Sequence, residues 1–136
     1  VDKERRIVVI APDVIVKSFV IAECRETLNR WRDGAIVPAV TRELLVYYMR
    51  ALRGVGLPDG QLRRWATWFT AGVKANFMPQ PGTDQACLRA ILMDAAVRGG
   101  ATCILFAGPV FESPASPVPW VGVAEFLHNN QGQRET

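Results

Sequence analysis

Only three of the 136 residues are cysteine, and they stand far apart at Cys24, Cys87 and Cys103. So few, so spaced, they build neither a disulfide framework nor a zinc cluster, and an odd count suits a reducing compartment where thiols serve as small core residues. Histidine is scarcer still: His128 stands alone, where the chain turns polar. It reads as a surface residue, and with no histidine partner for any serine or cysteine, nucleophilic hydrolase chemistry has no support. No apolar run approaches the ~20 residues of a membrane span; the longest, such as 7–12 and 104–107, are strand-sized. Nor does a basic n-region followed by an apolar h-region of signal-peptide length open the sequence, so the expected location is the cytoplasm, with no membrane partner. Lysine supplies only 3 of the 16 cationic residues and arginine 13. Arginine is the side chain suited to bidentate phosphate and carboxylate contacts, so the net charge of +3 permits a nucleic-acid partner without requiring one. What is plentiful is core: 49% of the residues are hydrophobic and 21% charged, which suits one globular domain. Residues 1–128 read as that domain and 129–136 as a polar tail that frays.

The charged opening Asp2-Lys3-Glu4-Arg5-Arg6 gives way to Ile7-Val8-Val9-Ile10, β-branched throughout. A run without polar alternation is how a strand covered on both faces reads, and such strands belong to α/β folds. After Ala11-Pro12-Asp13, an apolar stretch passes into a polar helical one, with Phe19, Ile21, Leu28 and Trp31 among Glu23, Arg25, Glu26 and Arg30, and Gly34 stops it. A second strand is predicted at 35–40, with Thr41 placed to cap a helix reaching about Arg53. Beyond the turn-rich 54–60, Leu62, Trp65, Ala66, Phe69 and Val73 mark the stripe of an amphipathic third helix. A brief strand at Phe77-Met78 precedes a fourth helix, capped by Thr83 and stopped at Gly99-Gly100. A buried strand at 102–107, a proline-rich loop from Gly108, an edge strand at 118–120 and a short helix around 124–127 complete the chain. The fold class that follows is α/β, a mostly parallel central sheet flanked by helices, with strands starting near Ile7, Ala35 and Thr102 lying parallel. Such sheets place ligands at the carboxyl ends of their strands.

Two carboxylates fall at those ends. Asp13 follows the first strand directly, and Asp84 follows Thr83, where the partial charge of a helix N-terminus favours an anion. Each also has a plain structural use, Asp84 as support for the helix start and Asp13 as a cap or turn residue. Trp65 and Trp68 beside Arg63 and Arg64 offer stacking surfaces for single-stranded RNA. Alternatively, Trp65 belongs to the core stripe and Trp68 to a subunit contact. With Tyr47 and Tyr48 on the preceding helix, these aromatics predict an exposed apolar patch and hence a homodimer.

Several segments together resemble the PIN-domain family, in particular its toxin components of toxin-antitoxin systems, over about 6–127. Ile7-Val8-Val9-Ile10-Ala11-Pro12-Asp13-Val14-Ile15-Val16-Lys17 is similar to the family's opening, an apolar strand followed by Asp-Thr-Asn-Val-Leu-Val-Ser. The stretch from Val40-Thr41-Arg42-Glu43 to Ala51-Leu52 resembles the helix that carries a family Glu. Asp84-Gln85-Ala86-Cys87-Leu88, with Gly99-Gly100-Ala101-Thr102-Cys103-Ile104-Leu105, resembles the Asp-led helix, its Gly-Gly-Ala-Asp turn and the next strand. Residues 118–127 resemble the closing strand and helix. The resemblance implies a three-layer sandwich and, in active members, a ribonuclease whose clustered acids hold magnesium or manganese.

Along this alignment the acids have largely gone. The first catalytic Asp falls on Ala11, the helix Glu on Tyr47, and the acidic pair after the fourth strand on Gly108 and Val110; Asp84 alone keeps its acid in register. Asp13 stands where the family has Asn, and because extended residues two apart point the same way, its carboxylate reaches toward the place vacated at Ala11. Glu43, four residues before Tyr47 on the same helical face, is either a relocated ligand or an acid of the first helical turn. Asp94 reads as solvent-facing. The expectation is a residual site of Asp13 and Asp84, ringed by Ala11, Tyr47, Gly108 and Val110, with no cofactor. Its bearer would be a catalytically impaired RNA- or protein-binding regulatory module, with RNA, an antitoxin-like protein and a second copy of the chain as expected partners. The alternative is a weak ribonuclease toxin in which Asp13, Asp84 and Glu43 hold Mg2+ or Mn2+.

Overall fold

A computed structural model describes residues 6–72, 74–80, 87–108 and 117–128. The apolar runs become strands β1 (Arg6–Ile10), β2 (Ile36–Thr41), β3 (Asn76–Met78), β4 (Cys103–Phe106) and β5 (Trp120–Gly122). They form one sheet in the order β3-β2-β1-β4-β5, and every pairing is parallel. Val8 pairs with Pro38 on one side and Cys103 on the other, so β1 is the central strand. Burial follows from that position: Val8, Val9, Ile10, Ile104 and Leu105 are all fully buried, which is why their sequence shows no alternation.

Helices α1 (Pro12–Lys17), α2 (Ala22–Arg32), α3 (Arg42–Gly54), α4 (Asp59–Thr70) and α5 (Leu88–Gly99) pack around the sheet, and residues 123–128 form a closing helix α6. The architecture is an α/β three-layer sandwich. The single helical stretch expected after β1 is two helices. Ser18 Oγ donates to the Ile15 carbonyl at 2.6 Å, a local bond that competes with helix propagation. The chain turns there, leaving Phe19 and Val20 exposed before α2 starts. Thr41 caps α3 as its sequence context predicts, its hydroxyl accepting from the Leu44 amide at 3.2 Å. Thr83, the expected cap, lies outside the described residues; α5 begins at Leu88, with extended Cys87 as its N-cap and no side-chain cap bond. Cys87 is therefore exposed, whereas Cys24 and Cys103 are core residues.

Three aromatics from three helices join the layers. Tyr48 of α3 stacks on Phe69 of α4 with centroids 4.3 Å apart, and Phe69 stacks on Trp31 of α2 at 5.0 Å. All three rings are buried, and Trp31 Nε1 donates to the Lys74 carbonyl at 2.8 Å. The aromatic patch expected to drive dimerisation thus loses Tyr48 to the core. Trp65 and Trp68 are half-buried against the same cluster.

At the far end of α5, Gly99 lies so close to β2 that a β-carbon added to it would stand 2.6 Å from Ala39 Cβ and 3.2 Å from Met78 Cε. At an open helical site, Gly→Ala stabilises by about 0.5–1 kcal/mol. Here the helix would have to lift from the strand, so Gly99→Ala is expected to destabilise by about 1–3 kcal/mol, as overpacking does. Urea denaturation measures the sign.

Candidate functional site

In the strand order, the direction of progression reverses between β1 and β4, and the crevice at the carboxyl ends of the strands on either side of such a switch point is where ligands bind in parallel sheets. Ala11 follows β1 directly and donates its amide to the Leu105 carbonyl at 2.9 Å, tying the two strand ends together. The chain then enters α1 through Pro12, whose fixed φ suits a helix start, so that Asp13 is delivered to the mouth of the crevice. Its Oδ2 accepts from the Ala107 amide at 3.3 Å. Its Oδ1 is buried with no hydrogen-bond partner among the described residues.

Of the expected ring, Ala11 and Gly108 are in place: Ala11 is buried, and a β-carbon on Gly108 would lie 3.9 Å from Asp13 Oδ2. Neither carries a ligand atom on its side chain. From α3, Tyr48 reaches the end of β1, its hydroxyl donating to the Ile10 carbonyl, and Tyr47 is half-buried against the core. Glu43 sits in the first turn of α3, a place common to both of its readings, and Asp94 pairs with Arg98 at 3.1 Å along α5. Asp84 and Val110 lie outside the described residues, so the approach of Asp84 to Asp13 is not described either. His128 is exposed at the end of α6.

Beside Asp13, a cleft of about 400 Å3 opens at the carboxyl ends of β4 and β5, lined by Cys24 and Glu23 of α2, Ala107 and Gly108 after β4, and Glu125 of α6. Burial pushes the Cys24 thiol up, and the negative charge of Asp13 pushes it further; Lys17 opposes this and Glu23 adds to it. Cys24 is thus held as a neutral thiol, the opposite of what a nucleophile needs. Cys24, Glu23 and Glu125 were not legible as site residues. Glu23 gave only the signal of an acid at a helix start, and Glu125 reaches the cleft through a long-range packing that no local pattern announces.

Among the described residues, no group of three His, Cys, Asp or Glu side chains comes together to hold a metal ion. Magnesium or manganese needs several oxygen ligands in a fixed geometry; the described residues bring no such set around Asp13, and Asp84 lies outside them. One substitution pair tests the structural part that Asp13 plays. Asp13→Ala is expected to cost about 1–2 kcal/mol by releasing the Ala107 amide, and Asp13→Asn clearly less, because the amide oxygen still accepts; thermal or urea unfolding measures both. No family model matches this chain, and no curated protein or solved structure matches it.

Proposed function

We propose that the domain is a PIN-like module that binds single-stranded RNA without metal-dependent catalysis, acting as a regulatory component of toxin-antitoxin type. The observation that carries the reading is the state of the switch-point crevice. There Asp13 spends one oxygen on the Ala107 amide, and the flanking positions are Ala11 and Gly108. Phosphodiester cleavage at such a place relies on metal charge to stabilise the attacking and leaving oxygens. Without it, the acids lining the crevice and the adjoining cleft, Asp13, Glu23 and Glu125, repel phosphate, so RNA is held elsewhere, on the arginine-bearing helices.

A second reading, the metal-dependent ribonuclease, is favoured by the buried and unpartnered Oδ1 of Asp13, an oxygen that a cation would satisfy together with Asp84 and Glu43. Binding of a fluorescently labelled 12-nucleotide RNA, followed by anisotropy, separates the two. On the first reading, affinity is unchanged by chelator and falls steeply as salt rises. Binding that needs manganese and vanishes in chelator supports the second reading and contradicts the first.

A further inference from the structure

The carboxyl half of α2 and the exposed side of α4 enclose a groove of about 230 Å3, remote along α2 from the Cys24 end that faces the crevice. This is below the ~300–1,000 Å3 of pockets for drug-sized ligands, and suits a single planar ring system. Its floor is Trp31, 2% exposed and fixed from beneath by Phe69. Trp65 and Trp68, three residues apart on one face of α4, form the walls. Trp68 meets Trp31 edge-on at 5.5 Å and 86°, and Trp65 lies 6.2 Å from it at 44°. These rings are held by packing, so a base entering between them would meet surfaces already oriented.

Charge surrounds the same opening. Arg32 and Arg64 line it, and both are exposed. Among the described residues, neither has an ion-pair partner, whereas Arg30 and Arg98 are each engaged four residues along their own helix. Lys74 adds a third cation, its Nζ 5.1 Å from the Trp68 ring and 3.1 Å from the Arg32 carbonyl. Asn29 also lines the groove, and its amide can both donate and accept. Stacking faces combined with unpaired cations are the two elements from which single-stranded nucleic-acid sites are built, the rings taking bases and the cations taking phosphates.

We infer that this groove between α2 and α4 is the RNA-binding site, one base lodging against Trp65 and Trp68 while Arg32, Arg64 and Lys74 hold the adjoining phosphates. The inference rests on the RNA-binding reading above and gives it an address. Its test uses the full chain, a labelled 12-nucleotide oligouridylate and chelator throughout, with thermal melting and light scattering recorded for each protein. Arg32→Gln/Arg64→Gln removes two exposed charges without touching the core, Trp68→Leu removes a stacking face, and Arg50→Gln/Arg53→Gln removes two exposed charges from α3 as a matched control. Both groove variants are expected to bind at least about tenfold more weakly, within the range that loss of one stacked base produces, and the control less than threefold. Removing two phosphate contacts should also flatten the salt dependence, lowering the slope of log affinity against log salt by about 1.4. If wild-type protein binds RNA and the groove variants match the control, this site is wrong while the RNA reading stands. If wild-type protein binds no RNA at low salt, that reading falls and the site with it. A wild-type dimer that the groove variants convert to monomer makes the groove a self-association face and overturns the proposal.

Discussion

Tyr48→Ala is expected to destabilise the protein by about 3–5 kcal/mol, the cost of deleting a large aromatic from a packed core. Tyr48 is fully buried, is stacked on Phe69 and hydrogen-bonds the carbonyl of Ile10 at the end of the central strand. Its loss therefore opens a cavity between α3 and α4 and strips a partner from the strand end that positions Asp13. Tyr48→Phe keeps the ring and removes only the donor, so its expected cost is about 1–3 kcal/mol. Urea denaturation of the two variants separates the packing contribution from the polar one.

The same residue sets an alkaline limit. Burial pushes the Tyr48 hydroxyl well above the ordinary tyrosine range, and burial likewise raises the thiols of Cys24 and Cys103. In the unfolded chain, thiols ionise near about 8.5 and tyrosine near about 10. As pH rises through those values, the unfolded state gives up protons that the folded state retains, so stability declines. The stabilising preference is complete below the unfolded values. Loss should begin with the two thiols above about pH 8.5 and steepen above about pH 10, and Tyr48→Phe should lack the steeper part.

Much of this fold was legible because its informative signals are local. The β-branched runs of β1 and β2, the Thr41 cap and the glycine stop at Gly100, whose φ of 69° is left-handed, each depend on a few adjacent residues. Their consequence, parallel strands joined through helices, follows from connection length. Tyr48 was readable too, since Leu44, Tyr48 and Leu52 stand four apart and all three are buried. Tyr47, its neighbour, stands outside that stripe and is half-buried. The break between α1 and α2 was hidden because the chain stays apolar through Phe19, Val20 and Ile21, and composition does not reveal where a serine folds back on its own helix. The site was partly readable: Asp13 and Gly108 meet as their places at strand ends imply. The cleft neighbours Glu23, Cys24 and Glu125, and the rim of Arg32 and Lys74 around the tryptophans, arise where helices distant in sequence pack together. Only Arg63 and Arg64 were adjacent enough to Trp65 for the sequence to pair them.

Metal-dependent RNA cleavage is expected to be absent, and this is the largest departure from what the family resemblance implies for active members. A metal-assisted cleavage site must both bind its cation and place it within reach of the attacking and leaving oxygens, and the rate depends steeply on both. In the described crevice, the carboxylate of Asp13 is half committed to the Ala107 amide, with Ala11 and Gly108 beside it. Placing an acid at Gly108 would bring two carboxylates together, and Gly108→Asp alone is not expected to create activity, because a divalent cation needs more oxygen ligands than two side chains supply. The direct measurement incubates the purified chain with single-stranded and structured RNA in millimolar Mn2+ or Mg2+ and follows the products on a denaturing gel. The account predicts that the RNA remains as intact as in the protein-free control; cleavage that disappears both in chelator and in Asp84→Asn would contradict it.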